Sequence, residues 1–466
     1  MQRIGRKRSA WIVLVFLIPA IYSCAAVAPS RDLAETFNYD RFGTVRIYRG
    51  RGRLHDAVLL LSGDAGWDAT AAALAHHLAD KGSLVAGIDL RHYREALEQA
   101  AEACVSPASD LENLSHYLQS KLQVKTYLVP VLVGYRSGAT LAHATLVEAP
   151  DGLFKGALGI GPATDLGLKK SVCGNLSASA DLRKKWIVLE EDRGATTGHA
   201  PGAYGAGAEG AAVDAAAVDA ALTRLAAAHD EIKPAALPAA LADLPLILVP
   251  SRTGESEQEG GHADGDRWFG VFLTGDGGWV GLDKGVSTEL AKHDIPIIGW
   301  DSLKYFWKRR TPEGAARDLD RVLRYYSKVW GRTHVLLIGY SQGADTMPFM
   351  INRLPAATHT LVGYTVLLGI SDNALWEFHV ATWLGSPAKG IPTAPELDHW
   401  SGAPYLCIYG ESDADAACAQ ETGHDGTALK MTGGHHFGGG YDKIADEILS
   451  RLPRTASPDS ATPTPD

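Results

Sequence analysis

The chain predicts an α/β architecture in duplicate: two tandem domains, each a mainly parallel sheet flanked by helices. Three observations carry this expectation. Short apolar runs alternate with longer stretches of helical spacing, the pattern of a parallel sheet covered on both faces. Four sequence blocks recur in the same order in the two halves. One of those blocks is an apolar strand that runs directly into a glycine-rich turn.

In chain order, residues 1–25 read as a signal peptide. Arg3, Arg6, Lys7 and Arg8 form a basic start, and the apolar run 11–22 is too short for a comfortable membrane span. Cleavage near Ser23-Cys24-Ala25, lipidation at Cys24 and an uncleaved anchor are three readings of it, with the soluble exported form favoured. Each places the mature chain outside the cytoplasm. Residues 36–192 read as the first copy of the domain. Residues 193–243 read as a linker, made of a flexible Gly/Ala-rich stretch over 194–212 and a helix over 215–229. Residues 244–453 read as the second copy. The tail 454–466 is Pro-, Ser-, Thr- and Asp-rich and is expected to be disordered.

The paired blocks define the copies. Leu60-Leu61-Ser62-Gly63-Asp64-Ala65-Gly66-Trp67 matches Phe272-Leu273-Thr274-Gly275-Asp276-Gly277-Gly278-Trp279. Gly87-Ile88-Asp89 matches Gly299-Trp300-Asp301, and Asp110-Leu111 matches Asp318-Leu319. Gly134-Tyr135-Arg136-Ser137-Gly138 matches Gly339-Tyr340-Ser341-Gln342-Gly343. Conserved order and spacing across four blocks point to duplication of one domain. In the second copy, residues 268–274, 296–300, 334–339, 360–369 and 404–409 read as strands. Residues 311–329 read as a helix, with Leu319, Val322, Leu323 and Tyr326 at helical spacing.

Composition sets limits. Hydrophobic content of 46% with 21% charged residues is globular. A formal charge of −10, with no basic run in the mature region, argues against a nucleic-acid partner. No H-E-x-x-H or C-x-x-C spacing calls for a metal, and no cofactor is expected. Of five cysteines, two fall in each half once Cys24 is set aside. That distribution favours Cys104–Cys173 and Cys407–Cys418 disulfides in an oxidising compartment.

The chemistry concentrates in the second half. A strand entering G-x-S-x-G forms a nucleophile elbow, which exposes the serine at the sheet edge. Ser341 is therefore the candidate nucleophile. Serine needs a base, and the base needs an orienting partner. The order serine, acid, histidine is the α/β-hydrolase order, and the sequence supplies it. Glu411-Ser412-Asp413-Ala414-Asp415 follows one strand, and Gly433-Gly434-His435-His436 follows a later stretch. Asp413 and Asp415 compete for the acid, with Asp413 favoured. His435 is preferred to His436 as the base. The backbone N–H groups of Gln342 and Gly278 are the candidate oxyanion donors. Asp276, Asp301 and Asp345 lie near strand ends and would suit a substrate ammonium; Asp276 and Asp345 are the substrate-binding candidates. Trp300, Tyr305, Phe306 and Trp307, beside Lys304, Lys308, Arg309 and Arg310, read either as a lipid-facing rim or as partly buried aromatics. In the first half arginine stands where serine would be, His199 follows no strand, and no triad is apparent.

The elbow Gly339–Asp345, the loop Gly275–Trp279, the Cys407/Cys418 segment and Gly434-His435-His436-Phe437 resemble the AcvB/VirJ family of exported bacterial virulence-associated α/β-hydrolases. The chain resembles the two-domain AcvB form over nearly all its mature length. That resemblance implies a periplasmic lipase that hydrolyses the aminoacyl ester of aminoacyl-phosphatidylglycerol, lysyl-phosphatidylglycerol above all. The implied partner is an anionic membrane lipid. Competing expectations are an exported esterase or thioesterase of another substrate, and a non-enzymatic virulence or secretion accessory that meets a periplasmic protein through the first domain.

Overall fold

A computed structural model describes residues 35–50, 52–100, 104–150, 152–173, 185–190, 203–204, 213–231, 237–251, 268–378, 390–413, 416–419, 426–437 and 440–453. The signal segment, Cys24, His199, most of 194–212 and the 454–466 tail lie outside the described residues.

The first half builds a seven-stranded sheet in the order β1-β2-β4-β3-β5-β6-β7. Its strands are β1 (Glu35–Tyr39), β2 (Gly43–Arg49), β3 (Asp56–Leu61), β4 (Ser83–Ile88), β5 (Pro130–Tyr135), β6 (Gly156–Ile160) and β7 (Trp186–Leu189). The β1/β2 and β2/β4 pairs are antiparallel and the rest parallel. Central strands such as β5 are buried along their whole length, which is why they read as unbroken apolar runs. A short ribbon of β8 (Ala203–Tyr204) and β9 (Val213–Asp214) follows.

The second half repeats the plan in the order β10-β12-β11-β13-β14-β17-β18. Its strands are β10 (Leu246–Val249), β11 (Trp268–Leu273), β12 (Ile297–Trp300), β13 (His334–Tyr340), β14 (Val362–Leu368), β17 (Tyr405–Gly410) and β18 (Gly426–Met431). A two-residue ribbon, β15 (Asn373–Ala374) with β16 (Ile391–Pro392), sits between β14 and β17. Only β10 runs antiparallel in this sheet. Both sheets therefore have the mainly parallel, helix-flanked plan expected, and the five strands read in the second half end within two residues of β11, β12, β13, β14 and β17.

The helices follow local rules. Pro312–Trp330 starts at Thr311, whose side chain accepts the Gly314 N–H at 3.1 Å, with proline in its first turn. Gly331 stops it in the left-handed conformation at φ 59. Its apolar face sinks Leu319, Val322, Leu323 and Tyr326 into the second core. The helix Ala215–Glu231, within the stretch read as linker, belongs to the first core through Val218, Ala221 and Leu225. Asp219 on this helix also bonds His77 and Lys81, each at 2.7 Å.

The halves meet along an aromatic seam. Tyr127 of the first half packs with Leu303, Trp307 and Phe378 of the second. The Trp307 indole N–H donates to the Val124 carbonyl at 2.6 Å and its ring stacks on Phe378 at 5.1 Å. Trp300, Tyr305 and Phe306 are fully buried, so the reading of this stretch as a lipid-facing rim does not hold for them. Disulfides join Cys104 to Cys173 and Cys407 to Cys418, with Cα separations of 5.1 and 5.9 Å. Such bonds are consistent with an extracytoplasmic location. Among the described residues no helix is long and apolar enough to cross a membrane.

Candidate active site at the end of the second sheet

Ser341 lies between the end of β13 and the helix Gln342–Ile351, at φ 50 and ψ −119. That backbone is costly for a residue with a Cβ, on the order of 1–3 kcal/mol, and needs surrounding structure to hold it. The elbow provides this by close packing. A Cβ on Gly343 would fall 2.3 Å from the Leu273 carbonyl oxygen, so the helix can sit against β11 only with glycine there. Ser341 N–H donates to the Leu368 carbonyl at 2.9 Å, and Gly343 N–H to the Thr274 carbonyl at 3.1 Å.

The acid and the histidine come from the next strands. His435 Nδ1 and Asp413 Oδ2 are 2.8 Å apart, with the Asp413 side chain buried and His435 partly open. Ser412 N–H donates across to Gly433 O and joins their loops, while Asp413 N–H closes its own turn onto Gly410 O, both at 3.1 Å. Gly369, directly after the Leu368 whose carbonyl accepts the Ser341 N–H, packs against the pair. It adopts φ +60, and a Cβ there would lie 2.9 Å from His435 Cε1. His435 thus rests over the end of β14, beside the strand that carries Ser341. Asp415 lies outside the described residues. His436 turns elsewhere: its Nδ1 shares a 2.8 Å hydrogen bond with Tyr340 Oη, and burial followed by the neighbouring His435 lowers its pKa.

The loop after β11 approaches the elbow through Gly275, where a Cβ would stand 3.4 Å from Ser341 Cβ. The N–H of Gly278, the donor expected from the sequence, closes the turn onto Gly275 O at 3.1 Å. Gln342 opens the helix, where first-turn N–H groups have no intrahelical acceptor.

The three candidate carboxylates have different surroundings. Asp345 is buried and accepts both the N–H and the hydroxyl of Ser371, at 2.7 and 2.8 Å, so it braces the loop after β14 rather than facing substrate. Burial pushes its pKa up to about 8. Asp301 is buried, caps the helix Ser302–Phe306 and pairs with Lys304 at 2.7 Å. Asp276 is partly exposed on the loop beside Ser341. Sequence reasoning missed Glu112, on the first-half helix Pro107–Lys121, whose Oε1 is 3.4 Å from where a Cβ of Gly277 would be. Burial, with Asp276 nearby, raises its pKa to about 8. It is one polar position on an ordinary helix, and nothing in the sequence marks it.

The first half keeps the elbow with arginine in place of serine. Arg136 sits at φ 51 and ψ −117, with its guanidinium 5.1 Å from the centre of the Tyr135 ring. The loop facing it is tied down: Asp64 accepts from Ser137 Oγ and pairs with Arg94 at 2.9 Å. Among the described residues the sheet ends at β7, with no further strand to carry a histidine.

A search of curated proteins found no match to this chain. Similar solved structures include Est1E from Butyrivibrio proteoclasticus with ferulic acid bound, at 12% identity, covering 45% of this chain and 95% of that one, with a TM-score of 0.33. They also include MenH from S. aureus, at 13% identity, 44% and 96% coverage and a TM-score of 0.32. Naproxen esterase (carboxylesterase NP) from Bacillus subtilis matches at 14% identity, 40% and 83% coverage and a TM-score of 0.28. The family model for the bacterial virulence protein VirJ matches residues 56–155 and 267–456, more than half of the chain and part of both sheets. The chain belongs to the VirJ family of bacterial virulence proteins.

Proposed function

We propose that the second half is a serine hydrolase that cleaves the aminoacyl ester of aminoacyl-phosphatidylglycerol, lysyl-phosphatidylglycerol first among them, in the periplasm. The observation that carries the hydrolase reading is Ser341 in a strained elbow beside a hydrogen-bonded His435–Asp413 pair. The resemblance to the exported two-domain hydrolases supports the choice of lipid, and the disulfides support the compartment.

In this mechanism Ser341 Oγ attacks the aminoacyl carbonyl carbon as His435 Nε2 accepts its proton. Asp413 holds the Nδ1–H and stabilises the imidazolium that forms. The N–H of Gln342, with one from the Gly275–Gly277 loop, stabilises the oxyanion. Collapse breaks the bond to the glycerol oxygen, which takes the proton from His435 and leaves as phosphatidylglycerol. Water, deprotonated by His435, then attacks the acyl-serine; the bond to Ser341 Oγ breaks, Oγ takes the proton back from His435, and the free amino acid leaves. Asp276 is the carboxylate we assign to the substrate ammonium.

The test measures lysine release from lysyl-phosphatidylglycerol in anionic-lipid micelles. Wild type releases lysine, and Ser341→Ala is slower by roughly 10⁴–10⁶-fold. Folded wild type that leaves lysyl- and alanyl-phosphatidylglycerol and simple esters intact would sink the enzyme reading and turn the search to protein partners.

A further inference from the structure

Tyr340 ends β13, directly before Ser341, and is buried. Its ring touches two parts of the site. A Cβ on Gly275 would lie 3.2 Å from Tyr340 Cδ1, so the ring underlies the loop after β11. The ring centre also stands 5.4 Å from that of His435. The hydroxyl reaches further. Tyr340 Oη is 3.3 Å from the His435 carbonyl oxygen and 2.8 Å from His436 Nδ1. That reach crosses the sheet: in the order β13-β14-β17-β18, two strands lie between Tyr340 and the strand that leads into the histidine loop.

The histidine loop needs such an anchor. It follows β18, which ends the sheet and has no fully buried residue. Asp413 holds His435 through Nδ1 at 2.8 Å, and one contact leaves a ring free to pivot about it. The Tyr340 hydroxyl on the His435 carbonyl is a second contact. A hydroxyl has one proton, and it cannot be given well to both histidines. Both contacts are satisfied when His436 carries its proton on Nδ1 and donates it to Oη, which leaves the Oη–H for the His435 carbonyl. Burial raises the pKa of Tyr340, and burial followed by His435 lowers that of His436, so the chain is neutral at neutral pH. His436 is not enclosed, and water can donate to its Nε2. In the first half a Cβ on Gly63 would lie 3.4 Å from Tyr135 Cδ1, and the sheet ends at β7 among the described residues. The ring is therefore packing common to both copies, while the contact with two histidines belongs to the second.

We infer that Tyr340 and His436 are positioning residues. The chain from His436 Nδ1–H through Tyr340 Oη–H to the His435 carbonyl ties the loop of the base to the strand that carries Ser341, and so fixes His435 relative to the serine. The inference rests on the hydrolase reading for its purpose, whereas the chain itself is a feature of the resting protein. It gives the second histidine a role that the triad does not supply, and it makes that role depend on which ring nitrogen carries the proton.

Nitrogen NMR of histidine-labelled protein reads the chain directly. His436 should carry its proton on Nδ1 in wild type and move it to Nε2 in Tyr340→Phe. The His435 Nδ1 proton should exchange with water about 10-fold faster in that variant. A wild-type His436 protonated on Nε2, or His435 exchange unchanged by Tyr340→Phe, overturns the inference. Kinetics read the purpose. Tyr340→Phe should lower kcat for lysine release by about 10-fold, with KM within about twofold of wild type. His436→Leu should match it, and His436→Asn, which keeps a donor at the place of Nδ1, should recover most of the rate. The double variant Tyr340→Phe/His436→Leu should be no slower than either single one. Losses that add, or no rescue by asparagine, likewise overturn the inference. Circular dichroism checks folding, and the two His436 variants decide the matter if Tyr340→Phe does not fold. The NMR readout needs no turnover, so a folded wild type that releases no lysine counts against the hydrolase reading while the tautomer still decides the chain.

Discussion

Arg136 and Ser341 occupy nearly the same backbone conformation, at φ 51 and φ 50, in turns built from the same glycines. The neighbours differ. The second sheet continues past β14 through β17 and β18, which bring Asp413 and His435, whereas the first stops at β7 among the described residues. The comparison separates two things that G-x-S-x-G patterns run together. The elbow is a packing solution, fixed by how closely the following helix sits on the sheet. The residue at its tip is an occupant of that solution, and arginine fits the same bend as serine.

The comparison can be broken first at the acid. Asp413→Asn keeps the shape of the His435 contact but removes the charge that fixes the tautomer, and kcat should fall by about 10⁴-fold. Near-normal turnover in steady-state lysine release would transfer the role to Asp415. The disulfides sharpen the contrast next. Cys104–Cys173 spans 69 residues and Cys407–Cys418 spans 11. Loop entropy then favours the first, at about 4 against about 3 kcal/mol. Urea unfolding of the two double Cys→Ser variants should show the larger loss in the first half, and a reversed order would rule out the entropic account.

A smaller effect belongs to Glu112. Its folded pKa is raised from 4.5 to about 8, so the folded state holds a proton that the unfolded chain has released over that window. Stability from this group is complete below about pH 4.5 and is lost as pH rises through about 8. Glu112→Gln should flatten that part of the melting-temperature profile by a few degrees, on the order expected for about 1 kcal/mol. Parallel profiles would place Glu112 in water. The smallest expected effect is none: Arg136→Ser, made in the Ser341→Ala background, should restore no hydrolysis. Recovered lysine release would show that the first half holds a base that the described strands do not provide.

Much of the fold was legible in the sequence because fully buried parallel strands leave unbroken apolar runs, and β5 and β13 are such strands. The antiparallel strands β1 and β2 were not, since polar residues interrupt their runs, and β10 is apolar but only four residues long. Ser341 and the acid–histidine order were visible because the elbow and the strand ends punctuate the sequence. The side chains' directions were not. Asp345 looked like a cleft carboxylate from its place after the elbow, but helical phase turns it inward to Ser371. Gly278 read as an oxyanion donor, and in the fold its N–H closes the turn. Trp300, Tyr305 and Phe306 read as a rim or as buried aromatics from composition alone, and the fold selects burial. The contact of Glu112 with the loop depends on how two domains dock, and no local pattern encodes that.

The aromatic seam carries a consequence for gene architecture. Leu303, Trp307 and Phe378 are sheltered by Tyr127 and Val129 of the first half. A relative consisting of the second half alone would expose those three positions to solvent as a sticky apolar patch. Such a relative should therefore carry polar residues there, and the identities at those positions become a way to read, from a fragment of sequence, whether a first half was ever attached.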